Sequence, residues 1–424
     1  MCALVFRVSA SMLRKIVFWL HLSCGLLAGT VVFTMSLTGV LLMYERQINA
    51  WVLSSHYVSA AENTQRLQLE QLLSIQQIAQ PNQQATVMVI TNHPGAPVSF
   101  MAGRRQVLNL NPFSGETMQI ASPALDQFFN IVTGLHRWFN VQGENRALAR
   151  EITGISNVIF LFLLVSGLYL WLPVVWMWAL FKVRLFFKTP YSNSKTRDFH
   201  WHHIFGFWAA LPLLVVVYTG TVISYPWAAN LMYLAFGVEI PAPIGAPANA
   251  VVPGQGGNQQ GQQQPLKANG NVGVVETAVT TYLSLDSLLA QVQIVTGTHW
   301  NRLNVTLPTA QQLTVQVEVD LGNGAQAHKR HTLSLARDSG KVLGITGFSD
   351  INQAQRLRGI ARFLHTGEVL GFWGQTIAGL VSFAALFMVW TGFALSWRRL
   401  IEPLFRQASR KVDSDTTFIL LIFA

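Results

Sequence analysis

Four histidines of this chain sit where an imidazole needs a reason. His21 lies in the apolar run Ile16 to Met43 and His202 in the run Phe199 to Tyr225, and neither run contains Asp, Glu, Lys or Arg. His136 and His365 fall near the ends of two amphipathic stretches, SPALDQFFNIVTGLHRWFN and SDINQAQRLRGIARFLHTGE. An ionisable side chain in a bilayer is costly unless a bonded group or a metal offsets its desolvation, so such a residue marks function by default.

Spacing sorts these residues into pairs. His21 is followed four residues later by Gly25 and eighteen later by Gly39 after Thr38; His202 is followed at the same intervals by Gly206 and by Gly220 after Thr219. The register selects His202 as the partner of His21, with His203 and His200 as alternative ligands or as supports and interfacial residues. His136 and His365 are each followed by a short Gly-containing loop and then by an apolar run ending alike, in SGLYLW (166 to 171) and TGFALSW (391 to 397). The chain reads as a duplication of one unit of helix, external module, histidine and helix.

Two related units would set His21 and His202 at one depth of a bundle and His136 and His365 at another. Facing helices hold cofactors in this way, and paired axial imidazoles suit a six-coordinate haem iron. A mononuclear zinc or copper site gathers three or four N, O or S ligands, and only Cys24 accompanies the pairs inside the spans. Proton-relay histidines come with Asp or Glu partners, which these spans lack. Two non-covalent b-type haems stacked across the bilayer would form an electron wire, since no C-x-x-C-H sequence exists for covalent attachment. Gly25, Gly39, Gly206 and Gly220 would let a flat macrocycle approach the backbone, or would serve helix packing.

The elements that must position these groups follow from composition. With 51% hydrophobic and 11% charged residues, the chain is far more apolar than a soluble domain, which carries roughly 25% charge. The runs 16–43, 152–180, 199–225 and 369–397 each exceed the ~20 residues of a spanning helix. The net charge of +10 is accounted for by topology rather than nucleic acid. Arg7, Arg14 and Lys15 lie in segment 1–15, Lys182, Arg184, Lys188, Lys195 and Arg197 in 181–198, and Arg398, Arg399, Arg406, Arg410 and Lys411 in 398–424. The positive-inside rule makes those segments cytoplasmic and puts 44–151 and 226–368 outside. The first span, with no small-residue cleavage site after it, is expected as an uncleaved helix, with Met12 a candidate start.

Each external segment reads as a small α+β module. Helix-like runs at 67–73 and 283–289 open them. ATVMVI, VSFM, RLNVTL and QLTVQVEVDL read as strands, and QVLNLNPFSGETMQI and HTLSLARDSGKVLGI as hairpins. The Gln/Gly-rich stretch 253–265 is expected to be a disordered insert, and the tail FILLIFA (418 to 424) is too short to span. Two cysteines, Cys2 and Cys24, give the external modules no disulfide framework. His56, His93, His299, His328 and His331 are expected as external surface residues, with His299 or the His328 and His331 pair as minor candidates for a substrate or metal contact. Arg14, Lys15, Arg137, Arg197 and Arg362 lie near the haem levels and could hold propionates or serve as anchors. Trp19, Trp138, Trp171, Trp373 and Trp397 are expected in the aromatic belts.

With WHHIFGFWAALPLL, TGTVISYPWAANLMY, LHRWF, SGLYLWLP, LHTGEVLGFWGQ and TGFALSWRR in view, the chain resembles the PepSY-associated transmembrane, iron-regulated inner-membrane proteins of bacteria, which include diheme siderophore-iron reductases. The resemblance implies a mainly α membrane protein, with a four-helix bundle and two periplasmic PepSY-like modules. It implies two b haems on His21, His202, His136 and His365, and reduction of ferric siderophore in the periplasm; the sequence leaves the electron donor open between a quinol and a cytoplasmic reductase. Ferric iron bound by hard oxygens loosens on reduction. Two other readings stand beside it: a non-enzymatic module that binds a partner in iron uptake, and a transporter of iron or its chelate. Spans without charge make the last a poor route for hydrophilic cargo.

Overall fold

The computed structural model describes residues 2–60, 64–103, 105–120, 122–240 and 282–405. The stretch 253–265, the tail 418–424 and Arg406, Arg410 and Lys411 lie outside the described residues, as do the side chains of Cys2 and Arg7. In chain order the elements are α1 (Cys2–Leu42), α2 (Glu45–Ser55), α3 (Leu69–Ala79), β1 (Val87–Thr91), β2 (Val98–Ala102), β3 (Arg105–Leu110), α4 (Pro123–Trp138), α5 (Arg146–Trp171), α6 (Trp178–Leu185), α7 (Ser194–Ser224) and α8 (Pro226–Ala235). After these come α9 (Leu285–Thr296), β4 (Arg302–Thr306), β5 (Thr314–Asp320), β6 (Arg330–Ala336), β7 (Val342–Gly347), α10 (Gln353–His365) and α11 (Gly371–Leu400).

Four helical stretches, Ser11–Ser55, Gly143–Trp171, Ser194–Ser224 and Glu368–Phe405, are long and apolar enough to cross a membrane. They form a ring in which α1 and α7 each pack against both α5 and α11. An apolar layer of Leu164, Ala209, Leu213, Val217, Val381 and Ala385 fills the middle. The second span is shorter than the hydropathy of 152–180 implies. Helix α5 stops at Trp171, ahead of Pro173, because proline cannot continue the backbone ladder. Its last carbonyls are capped by side chains: Arg14 donates to Leu170 O and Leu172 O, and Arg184 to Trp171 O. Guanidiniums suit the negative end of a helix dipole. The apolar residues that follow belong to a turn and to the separate helix α6.

At the same end of the bundle, α7 begins at Asn193, whose side chain accepts from Thr196 N at 2.8 Å, a good N-cap. The buried Asp198 carboxylate accepts from Arg398 Nη1 at 2.6 Å and from Arg197 Nε and Nη2 at 3.0 Å, tying α7 to α11. Removing one partner of a buried pair strands the other charges. Asp198→Ala is therefore expected to lower stability in detergent by about 2 kcal/mol, discounted because Arg197 is 43% exposed; chemical unfolding measures it.

The segments after the first and third spans each supply a helix and strands, and their strands join into one antiparallel sheet in the order β3-β2-β1-β4-β5-β6-β7. The junction is the β1–β4 pair, with Met88 opposite Val305 and Ile90 opposite Leu303. Alternate residues of these strands point to one buried face, where Leu72 of α3 and Val292 of α9 meet Met88, Phe100, Leu303, Val317 and Leu333 in a shared core. The two helix N-termini cap each other: Leu69 N donates to Asp286 Oδ2 at 2.8 Å and Leu285 N to Glu70 Oε1. The first expected hairpin has only half its ladder. Strand β3 forms, but its return arm makes a single bridge, Leu110 to Thr117.

The sheet is tied to the bundle through α2 and α11. Arg46 Nε donates to the buried Glu368 Oε1 at 2.7 Å and Arg46 Nη1 to Asn323 O at 3.2 Å. Gln47 bonds Gln375, and Tyr44 OH lies 2.7 Å from Thr376 Oγ1.

Candidate functional site: two levels of paired imidazoles

Each of the four sequence-selected histidines lies against a neighbouring helix, and the neighbour presents an oxygen to Nδ1 and a glycine beside the ring. His21 Nδ1 is 2.9 Å from Ser166 Oγ on α5, and the Ser166 hydroxyl already donates to Phe162 O at 2.7 Å. His202 Nδ1 is 3.0 Å from Thr391 Oγ1 on α11, which donates to Phe387 O at 2.6 Å. With those protons spent on backbone carbonyls, the hydroxyl oxygens accept from Nδ1–H.

At the sheet end, α4 packs on α1 and α10 packs on α7. His136 Nδ1 donates to Met35 O at 3.0 Å beside Thr38 Oγ1, and His365 Nδ1 donates to Val216 O at 2.8 Å. A carbonyl only accepts, so the proton is on Nδ1 in both rings. All four imidazoles thus share one tautomer, with the Nε2 lone pair left for a ligand.

Glycine gives the rings room. A Cβ on Gly167 would stand 3.3 Å from His21 Cε1 and one on Gly220 3.2 Å from His365 Cε1, while Gly392 and Gly39 line His202 and His136 more loosely. Among the chain's hydroxyl-glycine dipeptides, Ser166-Gly167, Thr391-Gly392, Thr38-Gly39 and Thr219-Gly220 are the ones that line these rings. A Cβ on Gly25 would meet only Leu163 at 4.0 Å and one on Gly206 only Met388 at 3.8 Å, so neither glycine stands against a histidine ring.

Local sequence explains how the sheet-end rings are aimed. Helix α4 starts with Pro123 and ends in the left-handed pair Phe139 and Asn140. Helix α10 starts with a capping box of Asn352 and Gln355 and ends at His365, just before left-handed Gly367. Each ring therefore occupies the last turn of a short helix whose chain then reverses into a span.

The rings of His136 and His365 have centroids 6.1 Å apart and planes inclined by 60°. His21 on α1 and His202 on α7 meet equivalent hydroxyls, Ser166 on α5 and Thr391 on α11. The levels are marked on α7 by His202 and by Val216, the acceptor for His365, so a rise of 1.5 Å per residue separates them by roughly 20 Å. Burial pulls the His136 imidazole down to about 4, with His365 and Arg137 adding to the effect and the bond to Met35 opposing it; burial lowers His365 as well. Burial thus favours the neutral form of both rings.

The alternatives have other partners. His200 has both nitrogens engaged, by Tyr191 OH at 3.1 Å and by Val183 O. His203 donates from Nδ1 to Phe199 O of its own helix at 2.8 Å and packs on the Phe199 ring. Arg14 and Arg197 are committed to helix capping and to Asp198. Trp171, expected in a belt, is buried and stacks on Phe207 with centroids 4.3 Å apart.

Sequence reading missed the oxygens that hold the rings. The recurring Ser/Thr-Gly dipeptides were a visible signal for Ser166 and Thr391; the carbonyls of Met35 and Val216 carried none. It also missed Asn157, buried on α5, whose Nδ2 donates to Val217 O and Thr221 Oγ1 at 2.9 Å each beside Gly220.

These features define a membrane-embedded protein in which four apolar helices carry a separate antiparallel sheet. The chain matches the PepSY-associated TM region over residues 18–399 and belongs to that family. No curated protein matches it.

Proposed function

We propose that this protein is a diheme electron carrier of a bacterial inner membrane, with His21 and His202 holding one b haem, His136 and His365 the other, and a ferric siderophore outside as the electron acceptor. The carrying observation is the shared tautomer of four paired imidazoles, each with Nδ1–H anchored and Nε2 free. Anchoring of the second ring nitrogen is how ligating histidines are oriented.

The donor set fits the group. Imidazole nitrogens about 2 Å from a common metal place ring centroids on its two sides roughly 6 Å apart, against 6.1 Å for His136 and His365. Among the described residues no three His, Cys, Asp or Glu side chains come together. Paired imidazoles are the donors that would hold a haem iron. When bound, the haems would supply one-electron chemistry. The residues orient the rings, keep them neutral and place the two levels on one helical frame. The matching contacts of the two halves, Ser166 with Thr391 and Met35 with Val216, favour an internal duplication with both termini on the cytoplasmic side.

Two expected results bear on this reading. Reduced protein mixed anaerobically with a ferric siderophore should be reoxidised and release ferrous iron, while iron-free siderophore leaves it reduced; failure to reoxidise would remove the reductase assignment. Ser166→Ala and Thr391→Val are expected to loosen haem at the His21–His202 level by about 10-fold or more, as apoprotein titration reads out, with the other level unaffected.

A further inference from the structure

Away from the histidine pairs, the seam between the two external segments holds a cleft of about 410 Å³. That is within the range of small-molecule sites. Arg66, Asn92 and His93 come to it from the first segment, and Asp286, Gln293 and Trp300 from the second.

Its polar groups are unevenly served. Asn92 Nδ2 is spent on Thr298 O and Trp300 O, at 2.9 and 2.7 Å, which fixes the loop before β4. Asp286 Oδ2 takes Leu69 N–H at 2.8 Å. Arg66 Nε and Nη2 and Trp300 Nε1 are buried and have no partner, and among the described residues no ion pair engages Arg66. Burial pulls the Arg66 guanidinium below its ordinary value, with Asp286 opposing.

Asp286 acts on Arg66 without bonding it, and a buried N–H without an acceptor is expensive. Nε and Nη2 form one edge of the guanidinium, the fork that matches the two oxygens of a carboxylate.

We propose that this seam cleft binds a carboxylate, with Arg66 as its counter-charge and the Trp300 indole N–H as a second donor. The carboxylate belongs either to a small organic acid or to the free C-terminus of a peptide. Occupancy of the cleft is independent of the histidine pairs.

Calorimetric titration of the full-length protein in detergent separates the possibilities. Succinate binding identifies a small acid, and trialanine with a free C-terminus identifies a peptide end. Neutral succinamide and amidated trialanine should not bind. Arg66→Gln should weaken the bound probe by about 10-fold or more, and Trp300→Phe, which keeps the ring and removes the N–H, should weaken it several-fold. Absence of binding by both carboxylate probes, equal binding of the neutral amides, or full affinity in Arg66→Gln overturns the proposal. Should Arg66→Gln fail to fold, unchanged affinity in Trp300→Phe does so.

Discussion

Replacing His365 with alanine is expected to halve the haem content, from about two per chain to about one, and His136→Ala is expected to do the same at the same level. The reason is the number of donors. Each level offers two imidazoles, and a bis-imidazole site that loses one partner loses both an axial bond and the ring packed opposite it. His136 and His365 sit 6.1 Å apart with Nδ1 of each held by a carbonyl of a spanning helix, so no neighbouring histidine can move in. His21→Ala and His202→Ala should remove the other haem. His202→Ala has a possible substitute in His203, whose ring centroid is 6.4 Å from that of His202, so partial retention there and none in His21→Ala is the expected asymmetry. Pyridine haemochrome content per chain measures all four variants, and full haem in every variant would refute the ligand assignment.

The second large effect is on the joint that delivers His365. Gly367 has φ 75°, a conformation costly for side chains with a Cβ. A Cβ there would land on the carbonyl of Gly374 and 2.8 Å from Gln375 N. Those neighbours are backbone and cannot step aside. Gly367→Ala is therefore expected to cost about 3 kcal/mol or more, seen as a lower midpoint in chemical unfolding and as loss of the haem at the sheet-end level. Gly25→Ala, whose Cβ would meet only Leu163 at 4.0 Å, should be nearly neutral in the same assay.

Much of this arrangement is written locally, and that part could be read from the chain. Hydropathy marks all four spans because every spanning residue feels the same solvent. The His-Gly-Thr-Gly register is matched by equivalent contacts, with His21 and His202 each meeting a hydroxyl of the next helix at 2.9 and 3.0 Å, because equal spacing on a helix means an equal face. The failures are of another kind. Hydropathy runs through Leu172 to Leu180 without a break, yet Pro173 and the capping guanidiniums of Arg14 and Arg184 end α5 at Trp171.

The joining of the two inter-span segments into one sheet depends on β1 pairing with β4. That contact spans about half of the chain and leaves no mark in either strand. The acceptors for His136 and His365 are main-chain oxygens, which any residue would supply. Arg66 looks like an ordinary surface cation in sequence, and only its enclosure at the seam, with Nε and Nη2 unpartnered, sets it apart.

Low-temperature electron paramagnetic resonance of the oxidised, purified protein tests the central claim most directly, because it reports the axial ligands themselves. Two low-spin ferric signals of bis-imidazole character, in equal amounts and one lost with each histidine pair, are predicted. A folded protein that is colourless, or whose iron is high-spin with a single nitrogen ligand, would contradict the pairing of His21 with His202 and of His136 with His365.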